Sequence, residues 1–107
     1  MTTSNEPNRM KAIRDSYQAL AILRVAYREP SYRVNGDVLG KYLDQLGLGN
    51  SAADLRANLE TLEKFGVLKL NFIERIPVIE LTQPGVEVAL GRAMQEGIQR
   101  PDPDCPY

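Results

Sequence analysis

Residues 51–81 read SAADLRANLETLEKFGVLKLNFIERIPVIEL, and the spacing of their apolar side chains changes once, at Gly66. Before it, Leu55, Leu59, Leu62 and Phe65 recur at steps of three and four, the period of one helix face. After it, Leu68, Leu70 and Phe72 alternate with Val67, Lys69 and Asn71, the period of a half-buried strand. Glu74-Arg75 marks a turn, and Val78-Ile79-Glu80-Leu81 reads as the returning strand, with Pro77 tolerable only at its start or on an edge. A helix that runs into a β-hairpin is therefore predicted. Asn50 or Ser51 opens the helix, with Asp54 three residues after Ser51 in a capping-box arrangement.

Two more helices precede this unit. From about Asn8 to Arg28, Ile13, Tyr17, Leu20, Leu23 and Tyr27 share one helical face, and Ile22, Val25 and Ala26 make a second. Such a helix has to be covered on more than one side. Glu29-Pro30 ends it, because proline disfavours helical geometry in the residue before it. After an extended Ser31-Tyr32-Arg33-Val34, Asn35 can cap a helix whose buried face is Val38, Leu39, Tyr42, Leu43 and Leu46, with Gly47 at its end. The short link from Gly47 to Asn50 then makes a helix-turn-helix.

Beyond the hairpin, Thr82 can cap a fourth helix with Pro84 in its first turn, Leu81 and Val86 spaced as a hydrophobic staple, and Val86, Ala89, Leu90 and Met94 inward. From Gly97 on, three prolines among the last seven residues prevent a regular element. The expected organisation is a disordered 1–8, one domain over 9–96, and an extended proline-rich tail over 97–107, in which Cys105 is an exposed thiol.

Composition narrows the function. A chain of 107 residues fits one core, and 43% hydrophobic with 25% charged residues is the mix of a folded domain and not of a disordered one. With one cysteine and no histidine, disulfides within the chain, His/Cys zinc sites and catalysis by imidazole are all excluded. No cofactor or metal is expected, and an enzyme is not. Gly36-x3-Gly40-Lys41 is one residue short of a phosphate loop and lacks its Ser/Thr. The longest apolar run, Ala19 to Leu23, is far below the roughly 20 residues of a membrane span. The opening Met-Thr-Thr-Ser-Asn-Glu-Pro has no basic start before an apolar stretch, so a cytoplasmic location is expected. Charge is uneven. Residues 1–34 carry six basic and three acidic groups, residues 35–66 three and five, residues 67–107 four and six.

Three helices, a two-stranded hairpin and a further helix form an α+β order that resembles the winged helix-turn-helix domain of small bacterial regulators, including the arsenic-repressor-like group. Ala21-Ile22-Leu23, Leu46-Gly47-Leu48, Phe65-Gly66-Val67 and Leu81-Thr82-x2-Gly85 carry the likeness. Arg14-Asp15-Ser16-Tyr17, Val88-Ala89-Leu90-Gly91-Arg92 and Gly97-Ile98-Gln99-Arg100-Pro101 are similar to a family of roughly hundred-residue proteins encoded by Mu-like prophages. The resemblance implies a DNA-binding protein of phage gene regulation, in which the third helix enters the major groove and the hairpin wing touches phosphates.

Carried onto this chain, the DNA-contacting positions are Ser51, Ala53, Arg56, Asn58 and Lys64 on the third helix, with Lys69 and Arg75 on the wing. Arg56 suits guanine and Asn58 adenine, but Asp54 and Glu60 beside them face phosphate unfavourably. Exposed Ile73 and Ile76 beside the wing cations instead suit a protein contact, so the alternative is an interaction module that binds a phage or host protein. A homodimer is expected in the regulator reading, with Ile22 and Val25 as the surplus apolar surface of the first helix. Metal sensing, frequent in the arsenic-repressor group, has no ligands here.

Overall fold

A computed structural model describes residues 6–107. It is an α+β fold of four helices and a three-stranded antiparallel sheet: α1 Glu6–Arg28, β1 Arg33–Asn35, α2 Gly36–Gln45, α3 Ala52–Lys64, β2 Leu68–Ile73, β3 Ile76–Leu81 and α4 Gln83–Ala89. Of the expected disordered N-terminus, residues 1–5 lie outside the described residues, and residues 6–8 belong to α1. Pro7 sits in the first turn of α1, where its missing N–H costs no helical bond.

α1 is the centre of the fold. It packs against α2, α3, α4, β1 and β3, and every residue from Gln18 to Leu23, with Ala26, is buried. Ile13 and Tyr27, at the two ends of the predicted face, stay exposed because the layers meet only its middle turns. The side chains of Asn35, Ser51 and Thr82 each accept backbone N–H bonds at the starts of α2, α3 and α4, which satisfies donors that the helices themselves leave unpaired. Of the two caps open in the sequence for α3, Ser51 is the one used: its Oγ accepts from Asp54 N at 3.0 Å.

The sheet has one strand more than the predicted two-stranded wing. β1 pairs antiparallel with β3, Val34 opposite Ile79, so the sheet order is β1-β3-β2. A three-residue strand carries too little periodicity to be read from sequence; Val34 is its single buried side chain. β3 also starts earlier than predicted, at Ile76, with Pro77 inside it. Pro77 is tolerated because its missing donor faces β1, and β1 has by then turned into α2 at Gly36. A Cβ on Gly36 would lie 2.5 Å from Pro77 Cγ, so this crossing needs glycine.

Gly40 is different. It sits within α2, and a Cβ there would meet Leu55 Cδ2 at 3.8 Å, an ordinary contact. Glycine in a helix interior costs about 0.5–1 kcal/mol relative to alanine. Gly40→Ala is therefore expected to raise stability by about that amount, seen as a higher urea midpoint with an unchanged slope.

α4 ends at Ala89, so Met94 does not face inward as the sequence pattern suggested: it is 76% exposed, beyond the turn at Gly91, where φ is 78°. Residues 97–107 form no helix or strand, but they are not a free tail. Ile98 is buried, Gln99 N donates to Ser16 O at 3.1 Å, Arg28 Nη1 donates to Tyr107 O, and Cys105 and Tyr107 pack on the core. Cys105 is thus half-buried and not the exposed thiol expected. Proline-rich composition excludes regular structure but not docking, and α1 offers an apolar flank for it.

Candidate nucleic-acid and protein interface

The expected contact residues divide sharply by what they already touch. Ser51 and Ala53 stand exposed at the start of α3, with Ser51 Oγ engaged as the cap. Arg56 is exposed, but its Nε lies 3.5 Å from Glu60 Oε2 and its guanidinium sits 4.4 Å above the centre of the Phe72 ring. That geometry is a cation–π contact fastening α3 to β2. A guanidinium held there has to leave both partners to read a base.

Asn58 is not a reading group. It is half-buried, and its Nδ2 donates to Gln18 Oε1 at 2.7 Å and to Asp15 O at 3.4 Å. Gln18 is fully buried and its own Nε2 donates to Leu48 O at 2.7 Å. These bonds tie α1 to α3 and to the turn before it. Leu55 three residues before it and Leu62 four after it place Asn58 on the inner side of α3, where the adenine contact expected of an exposed Asn58 is not available; its polar partner, Gln18, lies forty residues away.

Lys64, Lys69 and Arg75 are exposed in the last turn of α3, on β2 and in the hairpin turn, and none has an ion pair among the described residues. In the first helix, Lys11 Nζ holds Asp15 Oδ2 at 2.9 Å, and this hydrogen bond raises the ammonium above its usual pKa. The basic start of the chain is thereby partly neutralised within α1.

Strand alternation places Lys69, Asn71 and Ile73 with Ile76, Val78 and Glu80 on the face of the sheet turned away from the core. Ile73 is 64% exposed there, and Ile76 opposite it is exposed as well. Phe72, on the other face, is exposed at the tip, with the Arg56 guanidinium over its ring. The turn between them is strained: Glu74 has φ 60°, where hairpin turns of this length favour glycine. The hairpin tip thus presents isoleucine on one face and phenylalanine on the other.

Of the two surplus apolar residues of α1, Ile22 is not available to a second copy. Ile22 is 0% exposed, and Val25 is half-buried against the core. The second face of α1 is covered from within the chain, by α4, where Arg24 Nη1 donates to Ala89 O at 2.9 Å, and by residues 97–107. The dimer contact expected at Ile22 is corrected accordingly.

The Gly36-to-Lys41 run lines an open groove of about 430 Å³ between α2 and α3. Asp37 and Asp44 line it too, which sets carboxylates where a phosphate would have to sit. No group of three His, Cys, Asp or Glu side chains among the described residues could hold a metal ion, and no described helix is long and apolar enough to cross a membrane. Comparison of the chain with protein-family models, with curated proteins and with solved structures finds no match.

Proposed function

We propose that this chain is a winged helix-turn-helix domain of the phage-encoded kind its sequence resembles, and that it works by docking a protein on its hairpin. The observation that carries this reading is where the polar groups of α3 are spent. Arg56 is held by Glu60 and Phe72, and Asn58 by Gln18, while Ile73 and Ile76 stand uncovered. Interfaces are anchored by apolar side chains ringed with polar ones, and Asn71, Glu74 and Arg75 supply that ring. The basic excess of the chain lies in residues 1–34, whereas the segment that carries α3, residues 35–66, is acidic.

The second reading is a cytoplasmic DNA-binding regulator of phage genes. Lys64, Lys69 and Arg75 favour it, being exposed and without ion pairs among the described residues. One set of purified variants separates the two. If DNA is bound, affinity for random-sequence duplex falls steeply between low and moderate salt, and Lys69→Ala and Arg75→Ala each reduce the salt slope by about one unit. If a protein is bound, duplex affinity is negligible even at low salt. Changing both Ile73 and Ile76 to serine then leaves the fold intact but abolishes capture of a partner from phage-expressing cells. Steep, salt-sensitive duplex binding that survives the isoleucine changes would overturn the docking reading.

A further inference from the structure

The sheet order β1-β3-β2 leaves one side of β2 without a partner strand. The register says which backbone groups face that side. A two-residue turn makes Ile73 and Ile76 a hydrogen-bonded pair, and such pairs alternate along an antiparallel ladder. Asn71 and Lys69 therefore bond to β3, while Phe72, Leu70 and Leu68 turn their N–H and C=O outward. One bond at that edge agrees: Leu70 N donates to Glu63 Oε2 at 2.9 Å. The opposite edge, β1, is only three residues long and blunt by its shortness, whereas β2 runs six residues without proline. An edge of that length is a template for another strand unless something occupies it.

We propose that the free edge of β2 is an interface for a second copy of this chain, paired antiparallel about Leu70 with twofold symmetry. Leu70 then faces the partner subunit's Leu70, and Leu68 faces the partner subunit's Phe72, so all three outward-facing residues find a partner. Each of these pairs exchanges two backbone hydrogen bonds. Lys69 falls opposite the partner subunit's Asn71, and no like charges meet. The neighbouring registers are worse. Moving the axis one residue toward the turn, to Asn71, leaves Leu68 opposite the partner subunit's Glu74, outside the strand and in the turn. Moving it one residue the other way, to Lys69, sets Lys69 opposite the partner subunit's Lys69, and like charges directly across a ladder are destabilising. The strand is thus self-complementary in one register, as a twofold contact requires.

Glu63 controls access. In the single chain its carboxylate holds the central donor of the edge, Leu70 N–H, and pairing requires that bond to release. Because Glu63 is exposed, the carboxylate is released into water without a burial cost. The interface uses backbone groups of β2 and not the side chains of Ile73 and Ile76, so it stands apart from the docking reading above.

Sedimentation equilibrium of the full chain tests this. Glu63→Ala frees both central donors of a pair, and its self-association is expected to be at least about tenfold tighter than the parent's, since the parent has to release two bonds to charged acceptors, one in each chain. Phe72→Pro, added to Glu63→Ala, removes an outward donor that β3 does not use, and is expected to return the chain to monomer. Serine at both 73 and 76 should leave the association unchanged. A Glu63→Ala chain that sediments like the parent, or a dimer that persists with proline at 72, overturns the proposal. If the proline chain melts early, amide exchange of Phe72 in Glu63→Ala decides: slowing as protein concentration rises is expected, and exchange independent of concentration overturns it.

Discussion

Leu59→Ala is expected to lower the stability of the fold by about 2–5 kcal/mol, the usual cost of emptying a large side chain from a packed core. Leu59 is 1% exposed and lies with Leu62 on the stripe of α3 that faces the core, where α1 and β2 both pack against α3. Removing its isobutyl group leaves a void that neither α1 nor the sheet can close, because both are held by contacts of their own. In a domain of this size a loss of 2 kcal/mol already lowers the melting temperature by about 8 °C or more. Lys64→Ala, one turn further on and exposed, should melt within a degree or two of the parent, as surface changes usually stay within about 0.5 kcal/mol. Equal melting temperatures for Leu59→Ala and the parent would mean that α3 is rotated from the orientation described, and with it the exposed residues assigned to the interface.

Gln18→Leu should be nearly as damaging, at about 2–4 kcal/mol, even though it swaps a buried polar side chain for an apolar one of similar size. The reason is what Gln18 leaves behind. Leu48 O and Asn58 Nδ2 both lose a partner at 2.7 Å, and an unsatisfied buried polar group costs about 1–3 kcal/mol. Asn58 retains only its longer bond, to Asp15 O at 3.4 Å. Adding Asn58→Leu to Gln18→Leu removes one of the stranded groups, so the double change should cost less than the sum of the singles, with a coupling energy between about 0.5 and 3 kcal/mol in urea unfolding. Strict additivity would show that the two side chains do not act as a pair.

This pair also shows where reading residues in order stops being informative. Gln18 stands just before the apolar run Ala19 to Leu23, a place where a glutamine looks like the polar boundary of a helix face. Asn58 lies at helical spacing between Leu55 and Leu62, where an asparagine reads as a polar gap in the apolar stripe and not as one half of a buried pair. Each is polar for the sake of the other, and nothing local to either says so. Arg56 follows the same logic: its i,i+4 partner Glu60 is visible in the sequence, but its contact with Phe72 depends on how the hairpin folds back beside α3. Glu63 carries no signal at all, since its bond to Leu70 N exists only because the chain reverses at Gly66.

The periods of three to four and of two, the caps at Asn35, Ser51 and Thr82, and the turn at Glu74-Arg75 were determined by the sequence alone. Each depends on residues within one or two turns of one another, where backbone geometry and apolar spacing leave few choices. Tertiary structure alone decided the third strand, the docking of residues 97–107 on α1, the burial of Ile22 and the fate of each polar group on α3. Those features join groups dozens of residues apart. An apolar flank needs cover and a buried amide needs a partner, but many segments of a chain can satisfy either demand, and the packed fold selects which one does.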